Sequence, residues 1–263
     1  MITIIDPATL GAGTAIVLFV AILASLALGR RLGLRAIARH GGTGIPPHGS
    51  LEGAIFALLG LLIAFTFSGA LSRFDERRAQ AVAEANAIGT AWFRIDLLPV
   101  AAQPPVRDPF RAYVDARIAT YKALPDVTAA RAEAARASKL QSRIWAEAIA
   151  PLRLPETRPT AEMLVVPALN EMFDLATTRA AATMIHPPAI VFAMLLGLGI
   201  AAALLGGYQA AADGGLGWPH KFGFAAIVAI TVYVIIEIEF PRLGLVRLDA
   251  IDQLLVNARA GMN

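Results

Sequence analysis

Cysteine is absent from the 263 residues, which excludes disulfides, thiolate metal sites and thiol catalysis. Charge is scarce too: Asp, Glu, Lys and Arg make up 16 % of the chain, against 57 % apolar residues. With a mean hydropathy of +0.61, that balance excludes an ordinary soluble domain and points to an integral membrane protein. The four histidines, His40, His48, His186 and His220, occupy loops or sit beside prolines, without the spacing of a metal-binding helix. No Gly-x-Ser-x-Gly, phosphate-cradling loop or dinucleotide fingerprint occurs, so neither an enzyme nor a cofactor or metal site is expected. Strand-like alternation, internal repeats and low-complexity segments are missing as well. The pI of 9.6 is high enough to raise the question of a nucleic-acid partner. The net charge is only +3, however, and the basic residues are mixed with acidic ones along helices, so none is expected. All but three of the 23 basic residues are arginine, which favours fixed ion pairs and anion contacts over generic solvated charge.

What is present is a set of long uncharged runs. Pro7 to Gly29 can cross a bilayer, and Asp6 is the only charge before it, so it is expected to remain as a span rather than be cleaved. A basic, Gly/Pro-rich stretch from Arg30 to Ser50 predicts a short loop. Gly53 to Ser72 is uncharged again, and no Gly or Pro stops the helix at Arg73-Phe74-Asp75-Glu76-Arg77-Arg78. Ala81, Ala85, Ile88, Trp92 and Ile95 then recur at the spacing of a packed seam, and Pro99 ends it. The pattern predicts one rod of about 45 residues, roughly 65–70 Å long, half in lipid and half in a water-facing bundle. Three further stretches complete that bundle. One carries Phe110, Tyr113, Val114, Ile118 and Tyr121 on one face; the next follows an Asp126 N-cap; the third, from Thr160, buries Leu164, Val165, Met172 and Leu175.

A third span follows His186-Pro187-Pro188 and is rich in small residues. The fourth, Phe222 to Ile236, is short, which places Glu237 and Glu239 at or inside the membrane boundary. An amphipathic tail, with Leu245, Ile251, Leu254 and Leu255 on or near its apolar side, ends the chain. The expected fold is all-α: a four-span membrane protein with an α-helical extramembrane insert between spans 2 and 3. Residues 1–72 hold spans 1 and 2, 73–186 the insert continuing span 2, 187–240 spans 3 and 4, and 241–263 the tail.

The block from Phe65 to Arg78 carries two readings. Arg73, Arg77 and Arg78 anchor the helix at the headgroups while Asp75 and Glu76 pair with neighbours; or, with Ser68, they surround a vestibule that concentrates anions. Ala57, Leu61 and Phe65, at i, i+4 and i+8, either pack on helices and lipid or form an apolar constriction. Glu84, near Asn86 in an Ala-rich stretch, is expected to salt-bridge within the bundle or to accept a cation. Glu237 and Glu239 are expected to pair with Arg73 or Arg77, or to titrate as a gate.

These residues also carry a resemblance. Phe67-Ser68-Gly69-Ala70, Arg73-Phe74-Asp75, Arg77-Arg78, the run Glu84 to Ala91 and Leu97-Leu98-Pro99 resemble the hallmark of the bestrophin-like family of bacterial membrane proteins. A second, weaker match is Glu237, Glu239, Pro241-Arg242 and Gly244, with Glu where Asp is commoner. Similarity to true bestrophins is more distant. It implies a homopentamer in the bacterial inner membrane, multi-pass, with lipid and small anions as partners and a central anion pore lined by the second span. The hydrophobic neck would fall on Leu61 and Phe65, with Ala57 above; the small Ala57 departs from the bulky residue usual there. The acidic calcium clasp of animal bestrophins has no counterpart in the tail. Sidedness draws opposite signals. Arg30, Arg31, Arg35 and Arg39 would hold the first loop inside, whereas Arg73, Arg77, Arg78, Arg242, Arg247 and the resemblance place the insert there. A non-conducting scaffold or sensor, whose insert binds another protein, is the competing reading.

Overall fold

A computed structural model describes residues 7–39, 49–212, 215–242 and 244–262. The described chain is helical, without a strand, and forms two compact units. Four of its helices are long and apolar enough to cross a membrane. The protein is thus an all-α, four-span membrane protein with a helical insert.

The first unit comprises residues 1–73 and 186–246. It contains α1 (Pro7–Arg39), the start of α2 (Gly49–Arg94), α6 (Ala189–Gln209) and α7 (Trp218–Glu239). Helix α1 packs closely on α6 and α7, around Leu18, Ile22, Leu26, Leu195, Ala202, Ala225 and Val232. Helix α2 meets its neighbours in this unit through side chains such as Leu59 and Ala70, both of them buried. Two boundaries differ from the sequence expectation. Helix α1 runs on through Arg30 to Arg39, because that stretch has no proline and is dominated by Arg, Leu and Ala, which favour helix. The Gly/Pro-rich turn beyond it, 40–48, lies outside the described residues. Helix α7 starts at Trp218 with Pro219 in its first turn and ends at Glu239, so its 22 residues suffice to span and both glutamates fall in its last turn.

The second unit comprises residues 74–185 and 247–263. The rest of α2 gives way at Ile95–Leu97 to a 3-10 turn. Then come α3 (Gln103–Lys122), α4 (Val127–Leu152), α5 (Pro159–Ala182) and α8 (Asp249–Ala260). The predicted seam is buried throughout: Ala81, Ala85, Ile88, Trp92 and Ile95 all face the bundle. Trp92, Phe110, Tyr113 and Phe173 form a chain of aromatic contacts with centroids 5.6–6.4 Å apart. Asp126 caps α4, its Oδ1 accepting from the amides of Thr128 (2.9 Å) and Ala129 (3.0 Å). Leu164 is exposed rather than buried, since its neighbour Val165 takes the inward position on α5. Of the four tail residues expected on or near the apolar side, only Leu255 is buried. Leu245 and Leu254 are exposed, because Leu245 precedes α8 and Leu254 sits 100° around the helix from Leu255. Asp115 with Arg259, and the Arg111 guanidinium on the Met262 carbonyl, tie α8 to α3.

Candidate functional site

Helix α2 has a covered face and an open one. In the first unit the covered side holds Leu59 and Ala70, and Thr66 returns its hydroxyl to the carbonyls of Leu62 and Ile63 at 2.7 and 3.0 Å. Ala57, Leu61, Phe65, Ser68 and Ser72 lie on the opposite side, and all five are exposed. Leu61 is 51 % and Phe65 66 % exposed, high values for large apolar side chains. In the second unit the same helical register carries Asp75, Ala79, Asn86, Thr90 and Phe93, again all exposed. Sequence reasoning had singled out Ala57, Leu61, Phe65, Ser68, Asp75 and Asn86; the helical register that joins them would also have found Ser72, Ala79, Thr90 and Phe93.

The charged residues singled out with this face mostly point elsewhere. Arg73 folds back along Gly69, where an added Cβ would lie 3.3 Å from its Nη1. Its Nε donates to both carboxylate oxygens of Glu239 at 3.0 Å, and Nη2 donates to Oε2 at 2.7 Å. Glu239 is completely buried, and its Oε1 also lies 3.0 Å from His186 Nδ1. The His186 ring stacks on Phe240 at 4.4 Å. Of the pairings expected for Glu239, the one with Arg73 is thus formed. Arg77 is buried and donates to the carbonyls of Ala182 (3.2 Å) and Ile185 (3.1 Å), covering the carbonyl end of α5. Arg78 reaches Asp75 at 3.2 Å in an exposed i, i+3 pair.

Glu237 serves backbone amides as well as the Tyr233 hydroxyl. Its Oε2 accepts from the amides of Leu245 (2.6 Å) and Val246 (3.3 Å), while the Arg242 amide donates to the Val246 carbonyl at 2.8 Å. Arg242 holds φ at 81°, and Gly244 lies so close to the Glu237 carboxylate that a side chain there would displace it. The motif Glu237, Glu239, Pro241-Arg242, Gly244 is thereby one hydrogen-bonded loop closure and one ion pair. Gly244→Ala is expected to push the carboxylate away, orphan two amides and cost about 1–3 kcal/mol of stability. Thermal unfolding in detergent measures this, and an unchanged midpoint would show the loop closure to be dispensable.

Glu84 is fully buried in the second unit. It takes Arg117 Nε on Oε1 and Arg179 Nη1 on Oε2, both at 2.6 Å. Arg117 Nη2 donates to the Tyr121 hydroxyl at 2.5 Å, and Arg179 lies over the Tyr121 ring at 3.8 Å and reaches Asp252 at 2.5 Å. Arg117, Tyr121, Arg179 and Asp252 escaped the sequence reading, because each meets Glu84 or its partners from a different helix and no local spacing links them. No cluster of three or more metal-ligating side chains occurs among the described residues.

The four spans and the helices between the second and third of them define a class: multi-pass helical membrane proteins with a helical insert. A family model described as a bestrophin-like domain matches residues 49–249, and the chain belongs to that family. Neither a curated protein nor a solved structure matches it.

Proposed function

We propose that the protein is an oligomeric ion channel whose pore is lined by the open face of α2. The observation that carries this reading is the sequence of side chains on that face: apolar at Ala57, Leu61 and Phe65, then hydroxyl-bearing at Ser68 and Ser72. A face purely for lipid has no need of the serines, and one purely for solvent has no need of Leu61 and Phe65. Copies of one chain arranged around an axis reconcile the two, with a constriction that gates by dewetting and a wider wet section beyond it. A pentamer in the inner membrane, with small anions as the cargo, is what family membership would add. The buried pairs at Glu239 and Glu84 hold the wall in place and stay out of the ion's path.

Planar-bilayer recordings of the purified oligomer in symmetric potassium chloride test the proposal. A unitary conductance is expected, and Phe65→Ala should raise it several-fold by widening and wetting the neck. Intact oligomers that pass no current, across a range of pH, would leave the non-conducting scaffold. The exposed apolar side chains Phe93 and Val100 on the second unit would then be its first candidate contacts.

A further inference from the structure

Neighbouring helices of the second unit turn faces of opposite charge outward. On α4, Arg131, Arg136, Lys139 and Arg143 are exposed, on the side away from the buried Ala130, Ala137, Ile144 and Ala148. Between them stand Ala132, Ala135, Ser138 and Ser142, also exposed, so nothing bulky rises above the cations. The helix has two carboxylates of its own: Glu133, which reaches Arg136 at 3.1 Å, and the half-buried Glu147. Four cations against two carboxylates leave α4 positive. On α5 the signs reverse. Glu162, Glu171 and Asp174 are exposed, and the one cation, Arg179, is buried and bonded to Glu84 and Asp252. The outermost line of α5 runs through Asn170, Asp174 and Thr177, with Glu171 at its flank. The turn at 153–158 adds Arg153, Glu156 and Arg158 and leaves both faces as they are. Among the described residues, Lys139, Arg143, Glu171 and Asp174 have no ion-pair partner within the chain.

We infer that the basic face of α4 docks on the acidic face of α5 in a second copy of this chain. The inference rests on the oligomer of the proposed function and names a surface that joins its copies. Charge is the argument for a copy over any other partner, because each face finds its complement in the chain itself. The levels agree as well. Measured from the turn at 153–158, Lys139 and Arg143 lie about 21 and 15 Å along α4, and Glu171 and Asp174 about 20 and 24 Å along α5. The chain reverses at this short turn, so two copies that present the same end to each other bring the four residues level. Unlike surfaces meet, which is what a head-to-tail ring requires. Exposed pairs are individually weak. Repeated in every copy, they choose which faces meet rather than set how tightly.

Cross-linking tests this, and the absence of cysteine from the chain keeps the test clean. Two forms of the full chain, one carrying Lys139→Cys and the other Asp174→Cys, are produced together and treated in detergent with a short thiol-to-thiol linker. A linked pair of unlike copies is expected, with little product from either form alone. Arg143→Glu in the Lys139→Cys form should lower the yield several-fold, as should high salt, and Glu171→Lys in the Asp174→Cys form should bring it back. All four positions are exposed, so each form should keep the particle mass of the parent, which light scattering verifies. Oligomers of parent mass that fail to link, that link like with like, or that link equally well with Arg143→Glu overturn the interface and leave the oligomer standing. A parent that is monomeric in both detergent and lipid nanodiscs removes the oligomer and the interface together.

Discussion

Glu84→Ala is expected to lower the stability of the second unit by about 3–5 kcal/mol, the cost of stripping the partner from buried charges. The carboxylate is the single anion between Arg117 and Arg179, and neither guanidinium can escape by losing its proton. Burial alone would lower the pKa of Arg117, but Tyr121 and Glu84 outweigh it and raise the value, and the same balance holds for Arg179. Without Glu84 the Asp252 carboxylate still serves Arg179, so Arg117 carries most of the penalty. A loss of that size is a large part of the roughly 5–15 kcal/mol that holds a domain together. Glu84→Gln keeps an acceptor and the shape, so it should cost less than alanine. Replacing Glu84, Arg117 and Arg179 together by leucine and methionine should recover much of the loss, since a matched apolar set has no charge to desolvate. Denaturant titration in detergent, followed by tryptophan fluorescence, ranks the three variants. Alanine as stable as the parent would mean that water reaches the guanidinium groups and that the network contributes little.

The parts of this protein legible in its sequence are those fixed by neighbours along the chain. Charge-free runs of twenty residues announce the spans, and the four-three spacing of Ala81, Ala85, Ile88, Trp92 and Ile95 announces the seam, because helical geometry alone decides both. Glu239 was a readable candidate for pairing with Arg73, since a carboxylate at a membrane boundary needs a cation and few were near. That Arg77 reaches the carbonyls of Ala182 and Ile185 was not readable: main-chain carbonyls more than a hundred residues away leave no trace in side-chain pattern. Arg117 and Arg179 were hidden for the same reason, each looking like an ordinary solvated charge on an amphipathic helix. The orientation of the Arg73–Arg78 block is the instructive case. Composition suggested a basic vestibule, while the register of the same six residues, together with the neighbours of Arg73 and Arg77, turns the carboxylates onto the open stripe.

Leucine at Gly29 or Gly207 is expected to force α1 and α6 apart and to prevent the first unit from forming its native packing. These helices meet backbone to backbone. A Cβ on Gly207 would stand 2.8 Å from Leu26 Cα and collide with the Leu26 carbonyl, and one on Gly29 would stand 2.8 Å from the Tyr208 amide and collide with the Leu204 carbonyl. Gly33, one turn beyond Gly29, meets the Tyr208 carbonyl in the same way, so α1 uses small residues four apart as membrane helices do at close crossings. Main chain cannot swing aside as a flexible side chain can. Alanine at either position should already cost about 1–3 kcal/mol as an overpacked contact. Leucine adds three more heavy atoms in the same place and should pull Ile22, Leu26 and Ala203 out of contact. Gly197, on the same helix α6, has nothing within 4 Å of its would-be Cβ and supplies the control. Gly197→Ala should be neutral or stabilising by about 0.5–1 kcal/mol, the gain from replacing glycine inside a helix. Thermal unfolding in detergent compares them directly. Equal effects at 197 and 207 would mean that α6 is sensitive to any added volume, and the close crossing with α1 would lose its special standing.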